Sequence, residues 1–190
     1  MPEDGASRRR QGRSAKIVVA GLTERLECIV DPDGTVLAGK STSIVRGDVD
    51  LRAKLAEAGE RVAIVDWDVH HGNGTQEIFY RDPTVLYVSL HADPNDAYPY
   101  YSGYRDETGE GAGEGSTRNF PLPRTCDEAC YLGALHEALE VISRFAPGFL
   151  VVSLGTDILA EDPVGGMGLR VTGFERIGKV VRELGLPSLI

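Results

Sequence analysis

The stretch from Arg61 to Gly74 reads RVAIVDWDVHHGNG. Its first half, Arg61 to Asp66, is short, apolar and rich in β-branched residues, and this pattern predicts a buried strand. Its second half places two carboxylates and two imidazoles within the six residues from Asp66 to His71. A polar cluster directly after a buried strand indicates that the functional side chains lie at the carboxyl end of that strand.

Helical and strand patterns alternate on the C-terminal side of this stretch. Capping boxes beginning at Thr125 and Thr172 predict two helix starts, and residues 91–124 are expected to form a long loop. The alternation predicts an α/β fold, with a mostly parallel sheet and helices on both faces. The predicted elements are a helix from Gln76 to Tyr80, a strand from Val85 to Leu90, a helix from Thr125 to about Phe145, a strand from Phe149 to Ser153, a helix from Thr172 to Leu184 and a strand from Ser188.

Composition excludes several classes of function. The 190 residues carry a formal net charge of -9, which argues against a protein that binds nucleic acid through phosphate contacts. No apolar run approaches the roughly 20 residues that a membrane-spanning helix needs. Cys28, Cys126 and Cys130 show no secretory pairing pattern, so they are interpreted as small buried residues in a reducing compartment. A cytoplasmic protein without nucleic-acid or membrane partners is expected, and a homo-oligomer is left open.

The chain divides near residue 48. Residues 1–47 form an atypical segment whose first sixteen residues hold five basic and two acidic side chains, and this basic leader is expected to be a solvated terminus. A hairpin is predicted after it, with strands from Arg25 to Val30 and from Thr35 to Ala38 around an Asp-Pro-Asp-Gly turn. Residues 48–190 contain the alternating pattern and are predicted to form the functional domain.

Spacing brings three of the polar residues into one candidate metal site. Residues two apart in an extended chain point to the same side, so Asp66, Asp68 and His70 can converge. Asp157 follows a second predicted strand, and parallel strands end at the same edge of a sheet. Asp68, His70 and Asp157 would therefore bind one divalent ion and leave a position open for water, as catalytic zinc requires. The alternative is a set of capping and turn residues, because Asp is common at strand ends.

Several segments of the chain resemble one known family. DWDVHHGNGT from Asp66 to Thr75 and VSLH from Val88 to His91 are similar to signatures of the zinc-dependent histone deacetylase and acetylpolyamine amidohydrolase family. The resemblance covers about residues 50–190 and implies an arginase and deacetylase type of α/β fold. It also implies removal of acetyl groups from acetylpolyamines or acetyl-lysine. The segments similar to the acetylpolyamine branch are Tyr101 to Tyr104, Thr108 to Gly113, Asn119 to Pro121, Val152 to Asp157 and Asp162-Pro163.

The resemblance also implies roles for individual residues. Asp68, His70 and Asp157 match the zinc ligands of the family, and Asp66 matches an acid that orients a catalytic histidine. A structural potassium ion is implied as well, bound mostly through backbone carbonyls, since hard oxygen donors suit it. Its implied ligands are Asp66, Asp68, His70, Ser89 and Leu90. Tyr98 matches an aromatic wall of the substrate tunnel, although an aromatic in a Pro-rich loop is equally typical of simple packing.

The sequence departs from the family pattern at the catalytic groups. The family has a tandem histidine dyad upstream of the metal ligands, whereas all four histidines here lie at or after residue 70. A Gly-Gly-Tyr segment that supplies a catalytic tyrosine would follow the last predicted strand. No catalytic residue is therefore assigned, and the domain is expected to be truncated at both ends. This predicts negligible hydrolysis by the chain alone, and the alternative is a noncatalytic metal-binding module or remnant of the same fold.

Overall fold

A computed structural model describes residues 61–190 and the backbone of two strands nearer the N-terminus. These strands, β1 (Ala15–Ala20) and β2 (Arg25–Val30), form an antiparallel pair. The strand predicted from Arg25 to Val30 is therefore present. Its predicted partner, residues 35–38, and the predicted domain boundary near residue 48 lie outside the described residues.

In the described part of the chain, five parallel strands form the central sheet in the order β5-β4-β3-β6-β7. β3 (Val62–Asp66) lies at its centre and pairs with β4 (Val85–Ala92) and β6 (Phe149–Ser153). β5 (Thr117–Leu122) pairs with β4, and β7 (Ser188–Leu189) pairs with β6. Every residue of β3 and β4 is buried, because a parallel sheet between two layers leaves neither strand face to solvent.

Helices cover both faces of this sheet, so the predicted architecture is confirmed. On one face, α2 (Glu128–Phe145) and α3 (Val171–Arg182) pack through inward residues such as Ile142 against the larger apolar cluster. On the other face, α1 (Asn73–Phe79) contributes Phe79 to a smaller cluster. In the described part of the chain, no helix combines the length and apolar character needed to cross a membrane.

The predicted helix starts are wrong. Asp127 rather than Thr125 caps α2, and its carboxylate accepts a hydrogen bond from Cys130 N at 2.9 Å. A carboxylate in this position satisfies a free N–H and also complements the helix dipole. α3 begins at Val171, after an extended Arg170 that makes no side-chain cap. Thr172 therefore lies inside the first turn, where its capping-box pattern has no structural counterpart.

The predicted loop of residues 91–124 contains a strand. β5 lies within it, at the edge of the sheet, and includes Pro121. Proline has no N–H to donate to a neighbouring strand, so within sheets it occurs mainly on edge strands. Pro121 therefore gives β5 a loop-like sequence although the segment is a strand.

Cys126 and Cys130 form a disulfide at the start of α2, with their Cα atoms 5.4 Å apart. Cys126 is buried, whereas Cys130 is exposed. The predicted burial is therefore confirmed for Cys126 and wrong for Cys130, and the two residues are paired rather than free. The turn that enters α2 brings the two side chains into the range of Cα separations that a disulfide spans.

Candidate metal centre

The carboxyl ends of β3 and β6 lie side by side. The two strands pair in parallel with Asp66 opposite Ser153, so the residues that follow them leave the same edge of the sheet. Asp68 and His70 follow β3, and Asp157 follows β6. One ligand atom from each of these three side chains lies within 4.8 Å of the other two. The structure thus brings the three predicted zinc ligands together.

The donor atoms of this metal centre (Asp68, His70 and Asp157) fit a divalent cation. His70 Nδ1 lies 3.1 Å from Asp68 Oδ1 and 3.0 Å from Asp157 Oδ2. In a tetrahedral zinc site with bonds of about 2.1 Å, ligand atoms lie roughly 3.4 Å apart, so only a small movement is required. All three side chains are partly exposed. Two carboxylates and one imidazole with an open side could hold a divalent ion and leave a position for water.

Backbone N–H groups orient the carboxylates. Asp157 Oδ1 accepts from Val69 N at 3.0 Å, and Asp68 Oδ1 accepts from His70 N at 2.8 Å. Burial and the nearby charge of Asp68 raise the pKa of Asp157, whereas the hydrogen bond from Val69 N lowers it. A cation between the carboxylates would offset the effects of burial and of the Asp68 charge on this pKa, because positive charge favours the ionised carboxylate.

Two glycines permit the close approach of the loops that carry these ligands. A Cβ atom at Gly155 would lie 2.4 Å from Asp68 Cα and 2.8 Å from Asp157 Oδ1. A Cβ atom at Gly165 would lie 2.2 Å from Asp157 O. Both positions therefore need glycine if Asp68 and Asp157 are to share one site. Neither glycine is predictable from local sequence, because the requirement depends on contacts with other segments of the chain.

Asp66 lies at the end of β3 but outside the metal centre. It is 3% exposed, and its Oδ2 accepts from the Tyr87 hydroxyl at 3.2 Å. Its Oδ1 accepts from Asp68 N at 3.1 Å. Burial raises the pKa of Asp66 to about 7. Ser153 is a further partner of this carboxylate, and the implied role of Asp66 in orienting a catalytic histidine stays a prediction.

The residues predicted to bind potassium lie at the adjacent ends of β3 and β4, where Asp66 is opposite Ser89. His91 is buried, and burial lowers its pKa to about 4, so the ring is neutral near pH 7. His91 Nε2 lies 2.9 Å from Gly103 O and must donate, since a carbonyl only accepts. Nδ1 then accepts from the Ser89 hydroxyl at 2.8 Å. Ser89 Oγ is therefore the donor in its hydrogen bond with His91.

The second histidine of the motif belongs to a separate buried network, formed by His71, Gln76, Glu107 and Asn119. His71 Nε2 and Asn119 Nδ2 both donate to Gln76 Oε1, at 3.0 and 2.8 Å. Gln76 Nε2 donates to Glu107 Oε2 at 2.6 Å. Burial lowers the pKa of His71. No local sequence pattern predicts this network, because its members come from the end of the β3 segment, α1, β5 and the loop between β4 and β5.

The Glu107 carboxylate also holds the loop between β4 and β5. It accepts from Gly103 N at 2.9 Å and from the Ser102 hydroxyl at 3.3 Å, in addition to Gln76. Burial alone would raise the pKa of Glu107, but these hydrogen bonds outweigh burial and lower it. The hydrogen bonds of the loop therefore favour the ionised form of Glu107.

Tyr98 lies at the mouth of the metal centre. Its ring centroid is 6.4 Å from that of His70, in an edge-on arrangement, and the residue is 55% exposed. The structure thus places Tyr98 beside His70, and its role as a wall of the substrate tunnel stays a prediction. Tyr100 and Tyr101 are also exposed on the same loop.

Comparisons with known proteins agree with this geometry. The family model described as "Histone deacetylase domain" matches residues 46–188. Acetylpolyamine amidohydrolase 1 of Pseudomonas aeruginosa is 47% identical over 141 residues, which cover 74% of this chain and 41% of that protein. Acetylpolyamine amidohydrolase of Burkholderia pseudomallei is 44% identical over 140 residues, which cover 74% of this chain and 40% of that protein.

Solved structures give the same result. The crystal structure of acetylpolyamine aminohydrolase from Burkholderia pseudomallei superposes with a TM-score of 0.70 at 41% identity, covering 76% of this chain and 41% of that chain. An HDAC homologue complexed with SAHA also superposes with a TM-score of 0.70, at 34% identity, covering 75% of this chain and 40% of that chain. The present chain thus matches about two fifths of the length of these relatives.

Proposed function

The chain belongs to the histone deacetylase family, and from this membership we propose that it contains the metal-binding core of a zinc-dependent amidohydrolase. The reaction is the removal of acetyl groups from acetylated amines. The observation that carries the proposal is the convergence of Asp68, His70 and Asp157 at the strand ends, with an open side. The names of the relatives support the same reaction class.

Bound zinc would supply Lewis-acid polarisation of the acetyl carbonyl and activation of a water molecule. Asp68, His70 and Asp157 would hold the ion, and Val69 N and His70 N keep the two carboxylates aimed at it. We also propose a structural potassium ion at the ends of β3 and β4. The oxygen donors available there are those that an alkali cation prefers.

The acidic composition and the aromatic surface of the segment that carries Tyr98 support a cationic substrate, such as a partly acetylated polyamine. The segment from residue 91 to residue 116 contains six acidic side chains and one arginine. The exposed ring of Tyr98 offers a π face, which attracts ammonium groups. Acetyl-lysine within a basic peptide is the second candidate. The six acidic residues are Asp93, Asp96, Asp106, Glu107, Glu110 and Glu114.

We further propose that this chain alone turns over slowly. His70 lies in the metal centre, and His136 lies on the exposed side of α2. His71 and His91 are buried and hydrogen-bonded to other protein groups. None of the four is placed to protonate a leaving amine. General acid and base groups contribute roughly 10² to 10⁴ in rate, so their absence leaves little turnover. The cytoplasmic location and the oligomeric state remain predictions.

Metal binding tests the ligand assignment. We expect the purified chain to bind about one zinc ion, and Asp157→Ala to bind it at least about 100-fold more weakly because an anionic ligand is lost. Asp106→Ala is the matched control, since it removes an exposed carboxylate from the loop between β4 and β5. Zinc content and competition with a chelator dye would be measured for all three proteins. Equal affinity in all three would contradict the assignment.

Substrate binding and acetate release separate the amidohydrolase core from a metal-binding module. We expect calorimetry to show that the zinc-loaded chain binds an N-acetylated diamine more tightly than the free diamine. This preference should disappear after chelation. Acetate release should be negligible. Equal binding of both amines would favour the module, and zinc-dependent turnover near roughly 10 per second would contradict the slow-turnover proposal.

A further inference from the structure

The start of α2 carries a covalent link that the proposed hydrolysis does not use. Cys126 comes just before the capping residue Asp127, Cys130 lies in the first turn, and a disulfide joins the two cysteines. Cys126 is 2% exposed and belongs to the main apolar core, whereas Cys130 is exposed. One half of the link is therefore held by the core, and the other half can be reached from solvent.

Backbone contacts join Cys126 to the Asp157 loop, defined as residues 157–169. Gly168 N donates to Cys126 O at 3.0 Å, and Asp127 pairs with Gly168 in an isolated parallel bridge. A Cβ atom at Gly168 would lie 2.8 Å from Asp127 Cα, so the two backbones are in direct contact. The loop that carries Asp157 is thus anchored at its far end on the residue that forms the disulfide.

The near end of the same loop is fixed to the metal centre. Gly166 N donates to Asp157 O at 3.0 Å, which closes the loop on the ligand residue. Ala160 N also donates to Leu169 O at 2.7 Å across the loop. Backbone hydrogen bonds therefore connect Cys126 to the Asp157 loop and connect the far end of that loop to Asp157.

We propose that Cys126–Cys130 is a reversible redox site whose state sets how firmly the Asp157 loop is held, and through it the metal affinity of the centre. The metal part rests on the proposed zinc site. The disulfide fixes the backbone of Cys126 against the first turn of α2. After reduction, the hydrogen bond from Cys130 N to the Asp127 carboxylate remains, but the covalent tie is gone. Gly168 is then anchored on a less constrained partner.

The reaction partner would be a dithiol reductant. One of its thiolates attacks the exposed Cys130 Sγ, the S–S bond breaks, and its electron pair leaves with Cys126 Sγ, which takes up a proton. The second thiol attacks the mixed disulfide and releases Cys130 as a thiol. The protein gains two electrons and two protons, and the dithiol becomes a disulfide. A reversible site of this kind suits a reducing compartment, where lasting structural disulfides are rare.

Hydrogen exchange tests the link to the loop without any metal. Mass spectrometry would compare the oxidised chain with the chain reduced by a water-soluble phosphine, which is itself oxidised to its oxide with oxygen from water. We expect amides of the Asp157 loop to exchange at least about threefold faster after reduction. Cys130→Ser should behave like the reduced chain with or without phosphine. Cys28→Ser is the control and should respond like the unmodified chain. Equal exchange in both states overturns the proposal.

Cobalt titration, followed by visible absorption, tests the link to the metal centre. We expect the reduced chain and Cys130→Ser to bind Co²⁺ about three- to tenfold more weakly than the oxidised chain, at or below the roughly 10- to 100-fold effect of losing an outer partner of a ligand. Unchanged cobalt affinity in the presence of an exchange difference overturns the metal part of the inference. An oxidised chain that binds no cobalt refutes the zinc site itself, and the exchange result then decides the redox coupling.

Discussion

The adjacent histidines of the motif belong to two regions with opposite properties. His70 faces the carboxylates of Asp68 and Asp157 and has a side chain that is 33% exposed. His71 is 2% exposed, and its Nε2 donates to Gln76. The chain bends at Val69 and His70, and the two neighbouring side chains enter different surroundings, so one motif supplies both regions. The same residue type therefore has a ligand role where it faces the metal centre and a structural role where it faces the buried network.

The two regions also differ in how their polar groups are matched. In the metal centre, two carboxylates share a small space, and burial and like charge raise the pKa of Asp157. In the buried network, Gln76 accepts two hydrogen bonds and donates to Glu107. Hydrogen bonds between its members hold the buried network together, whereas the like charges of the metal centre favour a cation. The metal centre and the buried network should therefore respond differently to substitution.

Gly155→Ala should have the largest effect on the metal centre. The new Cβ would lie 2.4 Å from Asp68 Cα, so the ends of β3 and β6 must separate. We expect zinc affinity to fall at least about 10-fold, as for loss of an outer partner. The free energy of unfolding should fall by about 1 to 3 kcal/mol through overpacking. Chelator competition and urea unfolding would measure the two effects.

Gly133→Ala is the matched control for that substitution. Gly133 lies on the exposed side of α2 with no atom within 4 Å of a built Cβ. Replacing a mid-helix glycine with alanine should stabilise the chain by about 0.5 to 1 kcal/mol and leave zinc affinity unchanged. Similar zinc affinities in Gly155→Ala and Gly133→Ala would show that close packing at Gly155 does not shape the metal centre.

Much of the fold was predictable from local pattern. The strands that begin at Val62, Val85 and Phe149 are continuous apolar runs, and such runs indicate buried parallel strands. Because parallel strands end at one edge, the juxtaposition of Asp68 and Asp157 followed from the same pattern. The predictions that depend on sequence period and strand direction are the ones that the structure reproduces.

Features that depend on distant contacts were not predictable in the same way. The Cys126–Cys130 disulfide depends on the geometry of one turn, and the need for glycine at Gly155 depends on a neighbouring strand end. β5 was hidden because Pro121 is typical of loops. The buried network draws on four segments, and no local pattern relates Gln76 to Asn119.

Gln76→Leu should break the buried network and leave the metal centre intact. Removing the amide leaves His71 Nε2 and Asn119 Nδ2 without their shared acceptor. A buried donor left unsatisfied costs about 1 to 3 kcal/mol, so we expect the free energy of unfolding to fall by about 2 to 4 kcal/mol. Zinc affinity should change less than about threefold. Glu77→Leu, at the adjacent exposed position, is the control and should stay within about 0.5 kcal/mol. A large loss of zinc affinity in Gln76→Leu would show that the two regions are not separable.

Glu107→Gln should have the smallest effect and should depend on pH. Hydrogen bonds from Gly103 N and Gln76 outweigh burial and lower the pKa of Glu107 in the folded chain below its ordinary value of 4.5. The unfolded chain therefore binds this proton at a higher pH than the folded chain does. The stabilisation is complete above about pH 4.5 and is lost as the pH falls below that value. Glutamine keeps the shape but not the charge, so we expect the variant to be less stable by about 1 kcal/mol at pH 7, after discounting for solvent screening.

Urea unfolding at pH 7 and at pH 3.5 should show the difference in stability between the unmodified chain and Glu107→Gln shrinking at the lower pH. Glu137→Gln, on the exposed side of α2, makes the same change in net charge without these contacts. If Glu137→Gln showed the same pH dependence, the effect would belong to net charge and not to the loop that Glu107 holds.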